Sequence, residues 1–173
     1  ALLWAAPLAL RRPGLRLAVD RLILRLPLAG NLLRQVHAAQ LARTLAIMLA
    51  AGLPLIDGLR ASARTIANTV LRNATAQMAT VIDEGGSLST AMRLAAVFPS
   101  TLLHMASSGE DSGQLAPMLE SAADYLERQS QTTTQVAMGL LEPLIIIVLG
   151  VVVGVIVLAI LLPILQFNSL VLG

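Results

Sequence analysis

Apolar side chains recur at every third or fourth position along most of this chain, the spacing of helices that each bury one face. Glycine and proline residues interrupt the pattern at short intervals and mark the helix ends. No stretch shows the strict apolar–polar alternation of a half-buried β-strand. The pattern therefore predicts an all-α fold, with helices over residues 15–26, 32–51, 53–66, 70–84, 88–96, 98–108 and from 114 onward.

The six helices from residue 32 onward are joined by short turns, which predicts a six-helix bundle domain over residues 31–138. Either Asn68 or Thr69 is suited to cap the helix at 70–84, and Ser87 is suited to cap the helix that ends at residue 96. Residues 109–113, Gly-Glu-Asp-Ser-Gly, predict a tight connection between two helices. Asp111 and Gln114 have the spacing of a capping box, which places Asp111 at the start of the last helix.

An uncharged and almost wholly apolar run occupies residues 144–165 near the C-terminus. A helix of this length measures about 33 Å, compared with roughly 30 Å for the hydrocarbon core of a bilayer. We therefore predict a transmembrane helix at residues 139–166, followed by a periplasmic tail at 167–173. Gly150 and Gly154 lie four residues apart in this helix, a spacing that allows close packing against another membrane helix.

The first ten residues are also apolar, and Arg11 and Arg12 follow them, which is the reverse of the order in a signal peptide. Ten residues are too few to span a bilayer, so we interpret residues 1–12 as the cytoplasmic end of a truncated transmembrane helix. Residues 13–30 predict a basic connector helix. Its alternating arginine and apolar residues fit a helix lying on the membrane surface, and they equally fit a packed connector with a basic outer face.

The net charge of +2 is unevenly distributed along the chain. Residues 1–43 contain seven arginines and one acid, Asp20, whereas residues 44–142 contain five arginines and nine acids. Because aromatic residues make up only 2% of the chain, the stacking surface of a nucleic-acid-binding protein is missing from the sequence. The basic segment instead fits an anionic membrane surface, and the positive-inside rule places residues 11–142 in the cytoplasm.

The sequence offers little for catalysis. His37 and His104 lie on different predicted helices, neither has an acidic neighbour, and there is no cysteine. The chain contains no lysine, so it has no phosphate-binding loop of the kind that ends in lysine. We therefore expect both histidines to be structural and the protein to be non-enzymatic, without a required cofactor.

Several turn motifs follow one another in a fixed order. They are Gly52-Leu53-Pro54-Leu55, Gly85-Gly86-Ser87-Leu88, Phe98-Pro99, Gly109-Glu110-Asp111-Ser112-Gly113-Gln114-Leu115, Glu142-Pro143-Leu144 and Leu162-Pro163-Ile164. Together they resemble the GspF/PilC family, the inner-membrane platform proteins of type II secretion systems and type IV pili. The resemblance covers about residues 25–170 and matches the second cytoplasmic domain and final transmembrane helix of that family.

The resemblance implies a platform in the bacterial inner membrane with its helical domain in the cytoplasm. Such a platform couples a secretion ATPase, held by a membrane recruiter, to pseudopilin assembly and protein export. Other platform subunits are implied as partners, including further copies in a homo-oligomer. The ending at residues 163–171 favours the secretion branch. A type IV pilus platform is the alternative, and a membrane-anchored helical signalling module is the alternative of another class.

The resemblance also implies a calcium site at Asp57, Glu110 and Gln114, because oxygen-rich positions of the family match these residues. Carboxylate and amide oxygens are the ligands that calcium prefers. The same residues have a purely structural interpretation, since an acid in the first turn of a helix, such as Asp57, is stabilised by the helix dipole. The two roles are compatible.

Overall fold

The computed structural model describes residues 13–171, and every regular element within them is an α-helix. The described helices are α1 Pro13–Arg25, α2 Pro27–Ala50, α3 Leu55–Thr65, α4 Thr69–Asp83, α5 Leu88–Ala95, α6 Ser100–Ser112 and α7 Leu115–Val171. The all-α prediction is confirmed for this part of the chain. The predicted truncated membrane segment at residues 1–12 and the last two residues of the predicted tail lie outside it.

Two finer predictions about the architecture are not confirmed. The six-helix domain predicted for residues 31–138 is not confirmed as a separate unit, because α2 begins earlier, at Pro27, and α7 continues to Val171. In the described part of the chain, no helix has both the length and the apolar character required to cross a membrane, so the transmembrane helix predicted at 139–166 is not confirmed.

The chain divides into two compact units, residues 1–131 and residues 132–173. The first unit contains the hydrophobic core, which is built mainly from alanine and leucine. Helices α2 to α7 all contribute fully buried side chains to it, including Leu41, Leu45, Leu59, Met78, Leu88, Leu102, Leu119 and Leu126. Small alanines such as Ala38, Ala42 and Ala122 allow the helices to approach closely, and burial of each leucine contributes about 1.5–3 kcal/mol.

The helix ends of the first unit follow local sequence rules. Asn68 caps α4, and its side-chain oxygen accepts hydrogen bonds from the N–H groups of Val70 and Leu71 at 3.0 and 3.2 Å. Ser87 caps α5 by accepting from the N–H of Thr90 at 3.2 Å. These observations confirm both predicted caps and select Asn68 over Thr69.

The predicted connection at residues 109–113 is wrong, because α6 continues through Ser112. Only Gly113 has the left-handed conformation, with φ +68°, and Gln114 donates its N–H to the carbonyl of Gly109 at 2.8 Å. This is the Schellman pattern of a helix end that favours glycine. Asp111 therefore lies inside α6, and the capping box predicted for Asp111 and Gln114 is also wrong.

Gly109 has a different role from the one that its place in the motif predicted. A Cβ atom at this position would lie 2.9 Å from Leu115 Cα and 3.0 Å from Met118 Cβ. Glycine is required here because α6 and the beginning of α7 approach each other closely, not because the backbone turns.

The described part of the second unit consists of the remainder of α7. Its side chains at residues 145–161 are apolar and exposed throughout. Individual exposures include 60% for Ile145, 62% for Leu149 and 59% for Leu158. This segment therefore presents apolar surface on all its sides.

Candidate functional site

Glu110, one of the predicted calcium ligands, is bound to the beginning of another helix. Its carboxylate accepts hydrogen bonds from the N–H of Leu88 and, at 3.1 Å, from the N–H of Ser89. Both groups belong to the first turn of α5, where N–H groups lack partners within the helix and the dipole favours negative charge. Glu110 therefore completes the cap of α5 that Ser87 begins.

The other two predicted ligands are placed differently. Asp57 lies exposed in the first turn of α3, and its backbone N–H donates to the carbonyl of Pro54 at 3.1 Å. Gln114 is exposed in the two-residue break between α6 and α7. No hydrogen bond recorded for the described residues joins Asp57, Glu110 and Gln114. Nor does that part of the chain contain a group of three or more His, Cys, Asp or Glu residues arranged to hold a metal.

Calcium chemistry at these positions therefore meets a specific constraint. Both carboxylate oxygens of Glu110 already accept hydrogen bonds from backbone N–H groups, so a cation would share them with the cap of α5. Asp57 and Gln114 have exposed side chains that could supply further oxygens. The calcium site stays a prediction.

A cluster of opposite charges that sequence reasoning missed joins α2 to α7. The guanidinium of Arg43 donates to both carboxylate oxygens of Glu127, at 3.3 Å from Nε and 3.0 Å from Nη2. Nη2 also donates to Asp124, and Nη1 lies 3.9 Å from Glu120. The two-pronged geometry with Glu127 is the arrangement in which an arginine binds a carboxylate most specifically. We call these four residues the Arg43 cluster.

The Arg43 cluster changes the protonation equilibria of its members. The hydrogen bonds that Arg43 donates to Glu127 and Asp124 raise its pKa further above the ordinary value. The hydrogen bond from Arg43 lowers the pKa of Asp124, and the charge of Arg128 acts in the same direction to a smaller extent. These hydrogen bonds favour the charged forms of Arg43 and Asp124, which suits a structural link between two helices.

The two histidines lie in different environments, and their structural role stays a prediction. His37 is half-buried on α2, and its Nδ1 atom has no hydrogen-bond partner among the described residues. Burial lowers the pKa of His37, and the side chain of Gln40 acts in the opposite direction. His104 lies exposed on α6.

Gly150 and Gly154 lie in the exposed apolar segment of α7. A Cβ atom at either position would meet no atom within 4 Å. The surface around both glycines is therefore open in the part of the chain that the structure describes.

A family model for type II secretion system protein F matches residues 41–163, well over half of the chain. The chain belongs to the type II secretion system protein F family. A protein of this name from Pseudomonas aeruginosa is 42% identical over 163 residues, which cover 94% of the chain and 40% of that protein. The protein F of Vibrio cholerae is 35% identical over 162 residues, with the same two coverages.

Pilus proteins are nearly as similar to this member of the protein F family. The type IV pilus assembly protein PilC of Pseudomonas aeruginosa is 37% identical over 161 residues, covering 93% of the chain and 43% of PilC. The chain therefore spans about two fifths of the length of the curated relatives that it matches. The family resemblance found in the turn motifs is confirmed.

Proposed function

We propose that this chain is the second cytoplasmic domain and membrane anchor of a non-enzymatic inner-membrane platform in a type II secretion system. In this role it couples a secretion ATPase and its membrane recruiter to pseudopilin assembly and protein export. The observation that carries the proposal is the 42% identity with a type II secretion system protein F across 94% of the chain. The chain spans about two fifths of the length of these relatives, so the role of the whole platform is part of the proposal.

The described geometry supports a scaffold more than a catalyst. Two charged side chains with several contacts, Arg43 and Glu110, are occupied in holding helices together. Family membership also favours the platform over the signalling module, which would need a phosphate-accepting histidine motif.

Binding of the two possible ATPases tests the proposal. Detergent-solubilised full-length protein would be mixed with a tagged secretion ATPase and its recruiter, and in parallel with a pilus ATPase. We expect co-elution with the secretion ATPase at a fixed stoichiometry. Binding of the pilus ATPase alone would support the type IV pilus platform, which the similarity to PilC favours as second candidate. Binding of neither would contradict both platform roles.

We further propose that residues 139–166 anchor the protein in the inner membrane and that the preceding domain lies in the cytoplasm. Two observations support this: the uncharged sequence run at 144–165 and the exposure of every side chain at 145–161. Exposed apolar residues in such number require a nonaqueous surrounding or a partner. Alkaline carbonate washing of membranes tests the anchor, since an integral protein stays in the pellet and a peripheral one is released.

Self-association through Gly150 and Gly154 is part of the same proposal. The open surface around both glycines would let a second copy approach closely. We expect Gly150→Leu with Gly154→Leu to reduce the oligomer size measured by light scattering in detergent. The matched control is Val148→Leu with Val152→Leu, which adds volume to the other face of the helix. Equal oligomer sizes for both double variants would contradict a glycine-specific contact.

Calcium binding at Asp57, Glu110 and Gln114 remains a separate proposal. Calorimetric titration with calcium, carried out on the chain and on its Asp57→Asn variant, tests the site directly. Asp57 is suited to this test because it is exposed and its substitution leaves the α5 cap intact. Heat of binding that is lost in Asp57→Asn supports the site. An unchanged or absent heat contradicts it.

A further inference from the structure

Helix α1 is attached to the rest of the first unit by one of its faces. Asp20 Oδ2 accepts hydrogen bonds from the backbone N–H and the hydroxyl of Thr69, at 2.7 and 2.6 Å, and so assists the cap of α4. Leu24, one turn later, is buried in a small cluster with Ile66 and Leu71. Asp20 and Leu24 thereby fix which side of α1 faces the bundle.

The end of α1 is fixed as well. Arg34 donates to the carbonyl of Leu24 at 3.3 Å, which satisfies one of the free carbonyls at the C-terminus of the helix. A Cβ atom at Gly30 in the first turn of α2 would lie 2.3 Å from the same carbonyl oxygen, so the beginning of α2 also approaches the end of α1 closely. The orientation of α1 on the bundle is thus determined at several points.

The opposite face of α1 is exposed and combines apolar bulk with positive charge. Leu22 lies two residues from both Asp20 and Leu24, about 200° around the helix, and is 62% exposed. Arg25 lies three residues after Leu22 and four residues after Arg21, so it neighbours both on the helix surface. Both arginines are exposed. Leu26, the first residue after α1, is 51% exposed. We call Arg21, Leu22 and Arg25, together with Leu26 directly after the helix, the outer face of α1.

The outer face carries positive charge, and no ion pair among the described residues involves Arg21 or Arg25. Asp20 is the one acid among residues 1–43, and its carboxylate is engaged on the opposite side of the helix by Thr69. The apolar stems of arginines can lie along an apolar surface while their guanidinium groups reach outward to phosphates. Leucines flanked by arginines on one face of a docked helix are the features of a helix that lies in the interface of an anionic bilayer.

We propose that the outer face of α1 binds the surface of a bilayer containing anionic lipids, with Leu22 and Leu26 inserted among the headgroups and Arg21 and Arg25 on lipid phosphates. The basic connector would then combine its two interpretations. Its outer face would lie on the membrane surface, and its opposite face, with Asp20 and Leu24, packs on the bundle. The contact would fix the orientation of the bundle at the membrane, since α1 is held to α4 through Asp20. This contact is separate from the anchor proposed at residues 139–166, so either of the two can be present without the other.

Site-specific fluorescence tests the proposal, and the absence of cysteine makes the labelling clean. The chain with Leu22→Cys carries an environment-sensitive label and is reconstituted into vesicles of phosphatidylcholine with phosphatidylglycerol that contain a lipid-borne quencher. The comparison label is at Leu94→Cys on α5, where the side chain is 70% exposed. We expect stronger quenching at position 22 than at position 94.

Charge removal distinguishes lipid binding from simple proximity. Each arginine near an anionic surface strengthens binding about fivefold. Arg21→Gln with Arg25→Gln should therefore abolish the excess quenching at position 22, and so should vesicles of phosphatidylcholine alone. The matched control is Arg60→Gln with Arg64→Gln, an exposed pair with the same spacing on α3, which should leave the excess in place.

Three results would overturn the proposal. The first is equal quenching at positions 22 and 94. The second is excess quenching that survives removal of Arg21 and Arg25 and is equally strong in phosphatidylcholine. The third is a label at position 22 shielded from both the lipid quencher and aqueous iodide, which would mean that a protein surface covers this face. A failed anchor would be detected independently by a label at position 149.

Discussion

The bundle of the first unit and the exposed segment of α7 in the second unit are built from similar apolar residues with opposite surroundings. Leu41, Leu59 and Leu126 are fully buried in the bundle, whereas Leu149 and Leu158 remain about 60% exposed. In the bundle, apolar positions recur with helical spacing and polar residues separate them, so each helix has one face to bury. At residues 145–161 every face is apolar, and burying one face leaves the others exposed.

The comparison shows that pattern, and not hydrophobicity alone, decides whether a chain covers its own apolar surface. A helix with one apolar stripe is satisfied by its neighbours in the same domain. A helix that is apolar all round has surface left for lipid or for another protein. The two regions should therefore respond differently to the same substitution.

Removal of a leucine side chain is expected to give the largest difference between the regions. Leu59→Ala deletes a fully buried side chain from the core and should lower the free energy of unfolding by about 2–5 kcal/mol. Leu149→Ala deletes the same atoms from an exposed site and should change bundle stability by less than about 0.5 kcal/mol. Denaturant unfolding of both variants in detergent, followed by circular dichroism, measures this. Equal losses would contradict the division into a packed and an unpacked region.

Addition of a methyl group to a glycine tests how tightly the bundle and the exposed segment of α7 are packed. In Gly109→Ala the new Cβ would lie 2.9 Å from the backbone of α7, at a cost of about 1–3 kcal/mol. Better helix propensity offsets up to about 1 kcal/mol, so the net loss should be about 1–2 kcal/mol. Gly150→Ala meets no atom within 4 Å and should leave the unfolding of the bundle unchanged. Thermal unfolding distinguishes the two, and a stabilised Gly109→Ala variant would refute the close approach.

Loss of the Glu110 carboxylate should have a smaller effect that is confined to the bundle. Glu110→Ala leaves the N–H groups of Leu88 and Ser89 without their acceptor and should cost about 0.5–2 kcal/mol, the usual value of a helix cap. Glu110→Gln keeps one acceptor oxygen and should lose less. The control is Asp111→Asn, which removes the neighbouring exposed charge. Hydrogen exchange at the first turn of α5 should accelerate in Glu110→Ala, and equal exchange in Glu110→Ala and Asp111→Asn would contradict the cap.

Features that depend on neighbouring residues were predictable from the sequence. The caps Asn68 and Ser87 and the helix end at Gly52 involve partners within five residues, so local spacing identifies them. The helix positions were predictable for the same reason. Gly109 was assigned to a turn because a glycine required for close packing and one required for a positive φ look the same in sequence.

Contacts between distant residues were not predictable in this way. Glu110 caps a helix that begins 22 residues earlier, and Arg43 binds acids 81 and 84 residues away. Only the i, i+4, i+7 spacing of Glu120, Asp124 and Glu127 indicated that these acids share one face of α7. Their partner, Arg43, could be identified only from the three-dimensional structure. For the calcium ligands, the family resemblance identified Glu110 as important, and the structure gives it a capping role.

The smallest expected effect is a dependence of bundle stability on pH. Burial lowers the pKa of His37 below its ordinary value of 6.5, so below that pH the unfolded chain binds a proton more readily than the folded chain. Well above about pH 6.5 both states are unprotonated, and the shift has no effect on stability. As the pH falls through that value toward the folded pKa, protonation of the unfolded chain progressively lowers the free energy of unfolding. Asp124 does not interfere in this range, because its pKa is lowered from 3.8.

His37→Gln should therefore reduce the drop in Tm between about pH 7.5 and about pH 5.5, because it removes the group that becomes protonated on unfolding. His104→Gln is the matched control, since it removes the exposed histidine of α6 and leaves His37 in place. The exposed segment of α7 contains no ionisable residue, so the whole pH dependence of this kind belongs to the bundle. An identical pH dependence in the wild-type chain and His37→Gln would show that the partial burial of His37 has no energetic consequence.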